Sequence, residues 1–452
     1  MVSFLVVPQY KTRVPVHQVY ESNISNRIMS KKEIGILVIN GPLPPPFGGV
    51  ATYLSHALPY LSRQGIVVHT LIDHKPREEK IYAKYEAEGV HIHYGGGTKL
   101  QRLKSIIRHL PLWLSTYRTS KLGIKLFISN LKSIVGWLDP AENIVNSENV
   151  DIIHAYDYPW AQGFVASYLA KKYNKKFIQT TFGEIVPHKE EMVQHDSYGE
   201  KYRFFVKDVL QEAEVVIALS EHCRQEIDYV GIDPQKTKVS YWGSDVSYFN
   251  PNNDTSKIRT KYNLGDSPVV LFQGQVRPRK GPQVLLEAIP EVVKGFPEVK
   301  FLFVGPDYQM TDQLLARASE LGIRENVIFT GPVPWSDLPL FFAACDIFIF
   351  PTCTPIECLG LSMIQAMASE KPLIASRIDG IPEVIDNNVT GFLVEPGSSV
   401  ELSEKINRLL SDTDLRLRMG GAARERAVRL FDENISIIDL EKLYRSISRT
   451  AG

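Results

Sequence analysis

Cysteine is scarce in this chain: Cys223, Cys345, Cys353 and Cys358 are the four among 452 residues. None belongs to a Cys-x-x-Cys pair and none has a histidine at metal-ligand spacing. Neither a metal site nor a disulfide framework is expected, and a reducing cytoplasm suits the chain. An excess of charge is missing too. Lys+Arg and Asp+Glu both total 51, so nothing in the overall balance points to nucleic acid as a partner. No stretch approaches the roughly twenty apolar residues of a membrane span. The apolar run that begins at Met1 is too short for a signal peptide and has no basic flank. Internal repeats and low-complexity tracts are also absent. These absences leave a soluble or membrane-peripheral protein.

What is present is apolar material in quantity. Hydrophobic residues make up 44% and charged residues 23% of a length that exceeds what one core normally serves, so two domains are expected. Residues 1–32 are polar and irregular, an extension without an evident role. Ile34-Gly-Ile-Leu-Val-Ile39 is a continuous apolar run, the pattern of a parallel strand buried on both faces. An amphipathic helix pattern over 50–64 follows, then further apolar runs at 67–72, 151–154, 177–180 and 214–219. This alternation reads as an α/β, doubly wound, Rossmann-like domain over 33–247. A polar segment at 248–268 reads as a linker. The alternation restarts over 269–433, a second Rossmann-like domain, and 434–452 reads as a terminal helix packing back on the first.

Three segments carry candidate chemistry. Gly48 and Gly49 follow the first strand and precede a helix, where close backbone approach and free N–H groups suit a diphosphate; a tight turn without a ligand would use the same residues. Gly274-Gln-Val-Arg277-Pro-Arg279-Lys280-Gly281 follows the first strand of the second half. Its basic side chains would face the switch-point crevice and neutralise a departing diphosphate, unless they form a solvated loop. The third segment runs from Pro351 to Ala368. Glu357 in its loop would accept hydrogen bonds from sugar hydroxyls, the helix starting near Gly360 would offer amides to phosphate, and Gln365 would bind a ribose diol. An ordinary strand–loop–helix with a surface glutamate is the alternative.

Taken in order, these segments resemble the retaining glycosyltransferases of family four, also called glycosyltransferase group 1. The family's Glu-x7-Glu signature stands here as Glu357…Gln365 before Ala366-Met-Ala368, and Gly331-Pro-Val-Pro, Asp379-Gly-Ile-Pro-Glu383 and Thr390-Gly-Phe-Leu-Val394 match further segments. The resemblance spans about 34–448. It implies the GT-B fold, two Rossmann-like domains facing a central cleft, and transfer of a sugar from a nucleoside diphosphate to a hydroxyl acceptor with retained configuration. Glu357, Lys280, Arg277 and His154 would be its catalytic residues. Gly48, Gly49, Gln275, Val333, Gly360, Leu361 and Gln365 would bind the donor. No cofactor or metal is implied; a UDP-sugar is favoured, with GDP- or ADP-sugars as alternatives. Three positions depart from the pattern: Gln365 for the second glutamate, Gln275 for an arginine, and Thr180-Thr-Phe182-Gly183 for a histidine-containing motif. From its own surroundings, His154 also reads as a satisfied core histidine. A non-catalytic GT-B subunit that binds a partner or glycan is the rival from another class.

One charge asymmetry remains. Residues 98–138 hold Lys99, Arg102, Lys104, Arg108, Arg118, Lys121, Lys125 and Lys132 without one Asp or Glu, and Trp113, Phe127 and Trp137 are interleaved. Such a helix suits an anionic membrane surface on the inner face, with a tryptophan at the interface. A helical hairpin packed on the first domain is the alternative.

Overall fold

The computed structural model describes residues 33–40, 43, 48–73, 82–120, 124–156, 161–182, 206–355 and 357–449. The extension expected at 1–32 lies outside them, as do Gly183 and the side chains of Arg118, Lys121 and Lys125. The first sheet contains β1 (Ile34–Ile39), β2 (Ile66–Ile72), β3 (Val90–Tyr94), β4 (Ile152–Tyr156), β5 (Lys176–Thr181), β6 (Val215–Ala218) and β7 (Thr237–Val239). Their order is β3-β2-β1-β4-β5-β6-β7. The second contains β8 (Val269–Gln273), β9 (Lys300–Val304), β10 (Val327–Gly331), β11 (Ile347–Phe350), β12 (Leu373–Ser376) and β13 (Gly391–Val394), in the order β10-β9-β8-β11-β12-β13. Every pairing is parallel. Both sheets reverse direction beside their own first strand, between β1 and β4 and between β8 and β11. The loops leaving those strands open the crevice where doubly wound sheets take ligands.

The central strands are the apolar runs. All six residues of β1 are buried, as expected for a strand covered on both faces. Sequence pattern missed β3 and β7, the two edge strands. β3 alternates Val-His-Ile-His-Tyr, and β7 has three residues with none buried. One apolar cluster continues through both sheets, from Ile36 and Tyr156 to Phe350 and Met363.

Eight helices position the parts that follow. α1 (Gly49–Arg63) leaves β1. α2 (Lys99–Arg108), α3 (Leu110–Ser120) and α4 (Ile124–Ser147) form the basic insert, and α5 (Glu221–Tyr229) leaves β6. α6 (Pro282–Gly295) and α7 (Leu361–Ala368) follow β8 and β11, and α8 (Glu433–Arg449) ends the described chain. The segment expected as a linker is packed rather than loose: it carries a short helix at Ser256–Lys261, and Phe249 is fully buried against Trp335 and Phe342. The insert tryptophans also correct an expectation. Trp113 and Trp137 are both buried and cannot meet a membrane surface. Trp113 shares the inward face with Ser105 and His109, at steps of four residues, and stacks on Phe164.

α8 lies along the first half. Glu441 accepts a hydrogen bond from Tyr60 at 3.2 Å, Glu433 pairs with His56 at 2.8 Å, and Tyr444 is fully buried. His154 on β4 meets the Tyr444 hydroxyl through Nδ1 at 2.6 Å and Thr180 Oγ1 through Nε2 at 2.8 Å. Burial holds its pKa down to about 3, against an ordinary 6.5. The unfolded chain therefore binds a proton that the folded chain refuses. This contribution is fully present above about pH 6.5 and is lost as pH falls toward 3. Tyr444→Phe strips the imidazole of one partner and is expected to lower unfolding free energy by about 1–2 kcal/mol. Wild-type stability should itself decline between pH 7 and 5. Urea titrations at both pH values test this; equal midpoints for the two proteins would exclude a stabilising role for the pair.

Candidate active site

The second half builds most of the site at its switch point. After β8 the chain turns at Gly274, whose carbonyl touches Gly305 so closely that a Cβ there would stand 1.9 Å from it. Pro278–Lys280 then form a short 3-10 turn ending at Gly281. Gly281 has φ +71°, and a Cβ on it would lie 1.8 Å from the Pro351 carbonyl oxygen. Only glycine lets this turn rest on the end of β11. The contact is sealed by the Arg279 carbonyl, which accepts from Thr352 Oγ1 at 2.8 Å and from the Cys353 amide at 3.1 Å.

That docking carries Lys280 into the loop after β11. Its ammonium donates to Glu357 Oε1, 77 residues away in sequence, and both side chains are largely buried. Nζ also lies 5.4 Å from the centre of the Phe350 ring. The Glu357 backbone is fixed separately: its N–H donates to Asp379 Oδ2 at 3.0 Å and its carbonyl accepts from the Gly380 amide at 3.3 Å. The loop ends at Gly360, with φ +66°, and α7 starts there. Gln365 is buried on α7.

The first half closes the arrangement from the other side. α1 begins at Gly49 directly after β1's loop, and a Cβ on Gly49 would come within 3.2 Å of Leu361 Cδ1 on α7. No described residue lies within 4 Å of where a Cβ on Gly48 would stand. Two helix starts, from different sheets, therefore stand against one another beside the Lys280–Glu357 pair. Unpaired amides at both starts and one ammonium make a place for a doubly charged group of the diphosphate type.

The remaining expected residues divide. Arg277 donates to Gln275 Oε1 at 3.3 Å and lies over the Tyr308 ring at 5.2 Å, and Gln275 donates to the Tyr308 hydroxyl at 3.2 Å. The buried Nε of Arg279 meets no hydrogen-bond partner among the described residues. Val333 is half-buried after β10. His154 is not brought to this site. With both ring nitrogens engaged and no exposed surface, it is a core histidine tying β4 to α8, which corrects the catalytic role expected for it. Among the described residues one group, His109, Asp139 and Glu142, gathers potential metal ligands. It belongs to the insert, and Lys172 and Arg108 already pair with Glu142.

Sequence reasoning passed over three participants. Asp379 and Glu383 stood in a matched segment to which no role was given, and nothing marked Tyr308. The cysteines are a correction: Cys223 on α5 and Cys358, next to Glu357, form a disulfide across 135 residues with Cα atoms 6.6 Å apart. No local spacing announces a pair so far apart in sequence. It joins the two halves beside the site.

Known proteins share this architecture. A family model described as Glycosyltransferase Family 4 matches residues 47–248, and one described as Glycosyl transferases group 1 matches 254–426. The D-inositol 3-phosphate glycosyltransferase of Corynebacterium glutamicum is 30% identical over 256 residues, 54% of this chain and 60% of that protein. The GDP-mannose-dependent alpha-(1-6)-phosphatidylinositol monomannoside mannosyltransferase of Mycolicibacterium smegmatis is 33% identical over 192 residues, 41% of this chain and 50% of that protein. The chain thus matches between 50% and 60% of the length of these two relatives. Sucrose-phosphate synthase from Thermosynechococcus elongatus superposes with a TM-score of 0.75 at 21% identity, covering 92% of this chain and 100% of that one. Anabaena HepE in complex with UDP and glucose gives 0.69 at 20% identity, with coverage of 92% and 100%. The fold common to them is GT-B, two Rossmann-like domains on a cleft.

The disulfide has a direct check. Thiol titration in denaturant without reductant should count only Cys345 and Cys353. Reduction should lower stability by about 2–4 kcal/mol, since it frees a long loop in the unfolded chain. Four thiols before reduction would show that the bond does not form.

Proposed function

Because this chain belongs to the group 1 glycosyltransferases, we propose that it is a retaining enzyme that moves a sugar from a nucleoside diphosphate to a hydroxyl acceptor. The observation that carries this reading is the meeting of Lys280 and Glu357 in the loop that leads into the Gly49–Leu361 contact. The diphosphate would lie against the amides of Gly48, Gly49, Gly360 and Leu361, and Lys280 would meet the charge that grows on it as the glycosidic bond breaks. Glu357 would hold sugar hydroxyls, so that the acceptor attacks from the face the leaving group vacates, through an oxocarbenium-like state. Gln365 would bind the ribose, and Val333 would border the base. Fixed donors in a water-poor cleft stabilise such a transition state because they need no reorganisation as charge develops. On this reading the cationic side chains and helix amides do the work of a divalent cation.

A UDP-sugar is the first choice of donor: the similar HepE structure holds UDP and glucose. GDP-sugars are the alternative that the mannosyltransferase relative recommends, and ADP-sugars a third. That relative's name also favours a glycan or lipid-linked acceptor, and a donor of this chemistry suits a cytoplasmic enzyme. A non-catalytic GT-B subunit is the second reading, favoured by one observation: Gln275 stands where the family carries an arginine, and it draws Arg277 toward Tyr308. Release of nucleoside diphosphate from a panel of nucleotide sugars separates the two, since a binding subunit releases none.

Lys280→Ala is expected to cut turnover by about two powers of ten or more, the scale of losing an electrostatic stabiliser. Near-normal turnover in a folded variant would remove Lys280 from the mechanism. A second measurement compares the arginines. If Arg277 replaces the charge absent at Gln275, Arg277→Ala should impair turnover far more than Arg279→Ala; equal small effects would leave neither side chain at the diphosphate.

A further inference from the structure

The insert has two apolar faces where a surface helix normally has one. Its inward face, with Trp113 buried and Ile106 and Leu112 packed beside it, covers the core of the first half. Its outward face carries Leu100, Leu103, Ile107, Leu110, Leu114 and Tyr117, at alternating steps of three and four residues along α2 and α3. Every one of the six is exposed, from 38% at Tyr117 to 64% at Ile107. Scattered exposed leucines need no explanation, but a stripe running the length of two successive helices does. Lys99, Arg102, Lys104 and Arg108 flank it, and the segment 98–138 contains no acid that would neutralise them internally. Among the described residues Arg108 pairs with Glu142, on α4 beyond that segment, and it remains more than half exposed.

We propose that this face docks on a bilayer containing anionic phospholipid, the basic side chains at the phosphates and the leucine stripe below them. Charge decides between occupants. A second copy of the chain would set the same basic rows against each other. An anionic duplex would satisfy the charges but leave the stripe in water. An anionic bilayer satisfies both sets, combining an attraction that salt screens with an apolar contact that it does not. The placement fits the site. α2 is capped by Thr98 four residues after β3 ends, at the carboxyl edge of the first sheet, the edge that also carries Gly48 and Gly49. A docked chain presents that rim to the lipid. Docking itself is independent of the transfer chemistry; only the corollary, that the acceptor is lipid-linked, rests on the proposed function.

The test uses the full chain and sucrose-loaded vesicles of phosphatidylcholine, alone or mixed equally with phosphatidylglycerol. The protein should sediment only with the mixed vesicles, and a fraction should stay bound at high salt. Arg102→Glu with Lys104→Glu should weaken partitioning by roughly tenfold or more, as each basic residue near the surface adds about one kilocalorie per mole of attraction. Leu103→Asn, Leu110→Asn and Leu114→Asn together should abolish the salt-resistant fraction. All five positions are exposed, so circular dichroism should report an intact fold in both variants. Leu103→Trp should add a blue shift with mixed vesicles beyond any that the wild type shows, since the insert's own tryptophans, Trp113 and Trp137, are already in the core. Three results would each overturn the proposal: wild type left in the supernatant at low salt, no shift from Leu103→Trp, or a wild-type dimer that the asparagine variant dissolves. Sugar-nucleotide hydrolysis without vesicles should be unchanged in these variants. Vesicle binding by a chain that releases no nucleoside diphosphate would leave docking standing and remove the transferase reading alone.

Discussion

The carboxylate of Glu383 holds the two halves of this chain in one arrangement. Sitting on a short helix of the second half, Ile381–Val384, it accepts hydrogen bonds from the Glu221 and His222 amides at 2.7 and 2.8 Å and from the Tyr241 hydroxyl at 3.0 Å. Those amides open α5 of the first half. No carbonyl within the helix reaches them, and they carry the positive end of its dipole, so a carboxylate there is doubly favoured. Burial, and then the nearby Glu383 charge, push the Tyr241 hydroxyl up to about 12, which keeps it a donor. The same loop also sets the site. Asp379 and Gly380 grip both sides of the Glu357 peptide, and Gly380 approaches so near that a Cβ would stand 1.7 Å from the Cys358 carbonyl oxygen. Seating the halves and aiming Glu357 are therefore one structural event.

This explains how a buried ion pair earns its place. Removing a lysine and a glutamate from water costs more than their attraction commonly returns, so the Lys280–Glu357 contact is a weak argument for stability. On the proposed reading its value is chemical instead. A cation held in a water-poor crevice by a rigid turn acts on a developing negative charge with little screening. The turn is rigid because Gly281 lets it lie on the Pro351 carbonyl, and no other residue fits there. The pair thus sits where the doubly wound topology opens, between β8 and β11, and is aimed by contacts that have nothing to do with charge.

Much of this was legible in the amino-acid order. Continuous apolar runs such as Ile34–Ile39 identify strands buried on both faces, and a glycine or basic loop after such a run marks a switch-point crevice; Lys280 and Glu357 followed from that logic. The unread parts share a physical cause. β3 and β7 are edge strands, only partly covered, so they lack the continuous apolar run that marks the central strands. His154 sits in the middle of β4, where a catalytic and a core histidine look alike until a partner, Tyr444, arrives from 290 positions away. The Cys223–Cys358 bond and the Glu383 contacts likewise depend on folding alone to bring distant residues together. The insert misled in a subtler way. Tryptophan among basic residues reads as an interface anchor, yet Trp113 falls on the stripe that steps by four through Ser105 and His109 and so turns inward. The apolar surface left outside is made of leucine, isoleucine and one tyrosine, Tyr117.

The chain crosses between its halves twice, and the crossings are joined. On the outward passage, Ser244 donates its amide to the Phe431 carbonyl at 3.0 Å; on the return, Glu433 donates to the Ser244 carbonyl at 3.2 Å. Gly243 makes this possible, since a Cβ there would stand 2.1 Å from the Phe431 oxygen. Past the crossing, α8 gives its buried face to the first half through Tyr444 and His154. The last helix in sequence has thereby become part of the first domain. The two connections cannot slide independently, because each supplies the other's hydrogen-bond partners. The Glu383 contacts adjoin this strip through Tyr241, whose ring meets that of Phe431 at 5.8 Å, and the disulfide adds a covalent tie between the halves.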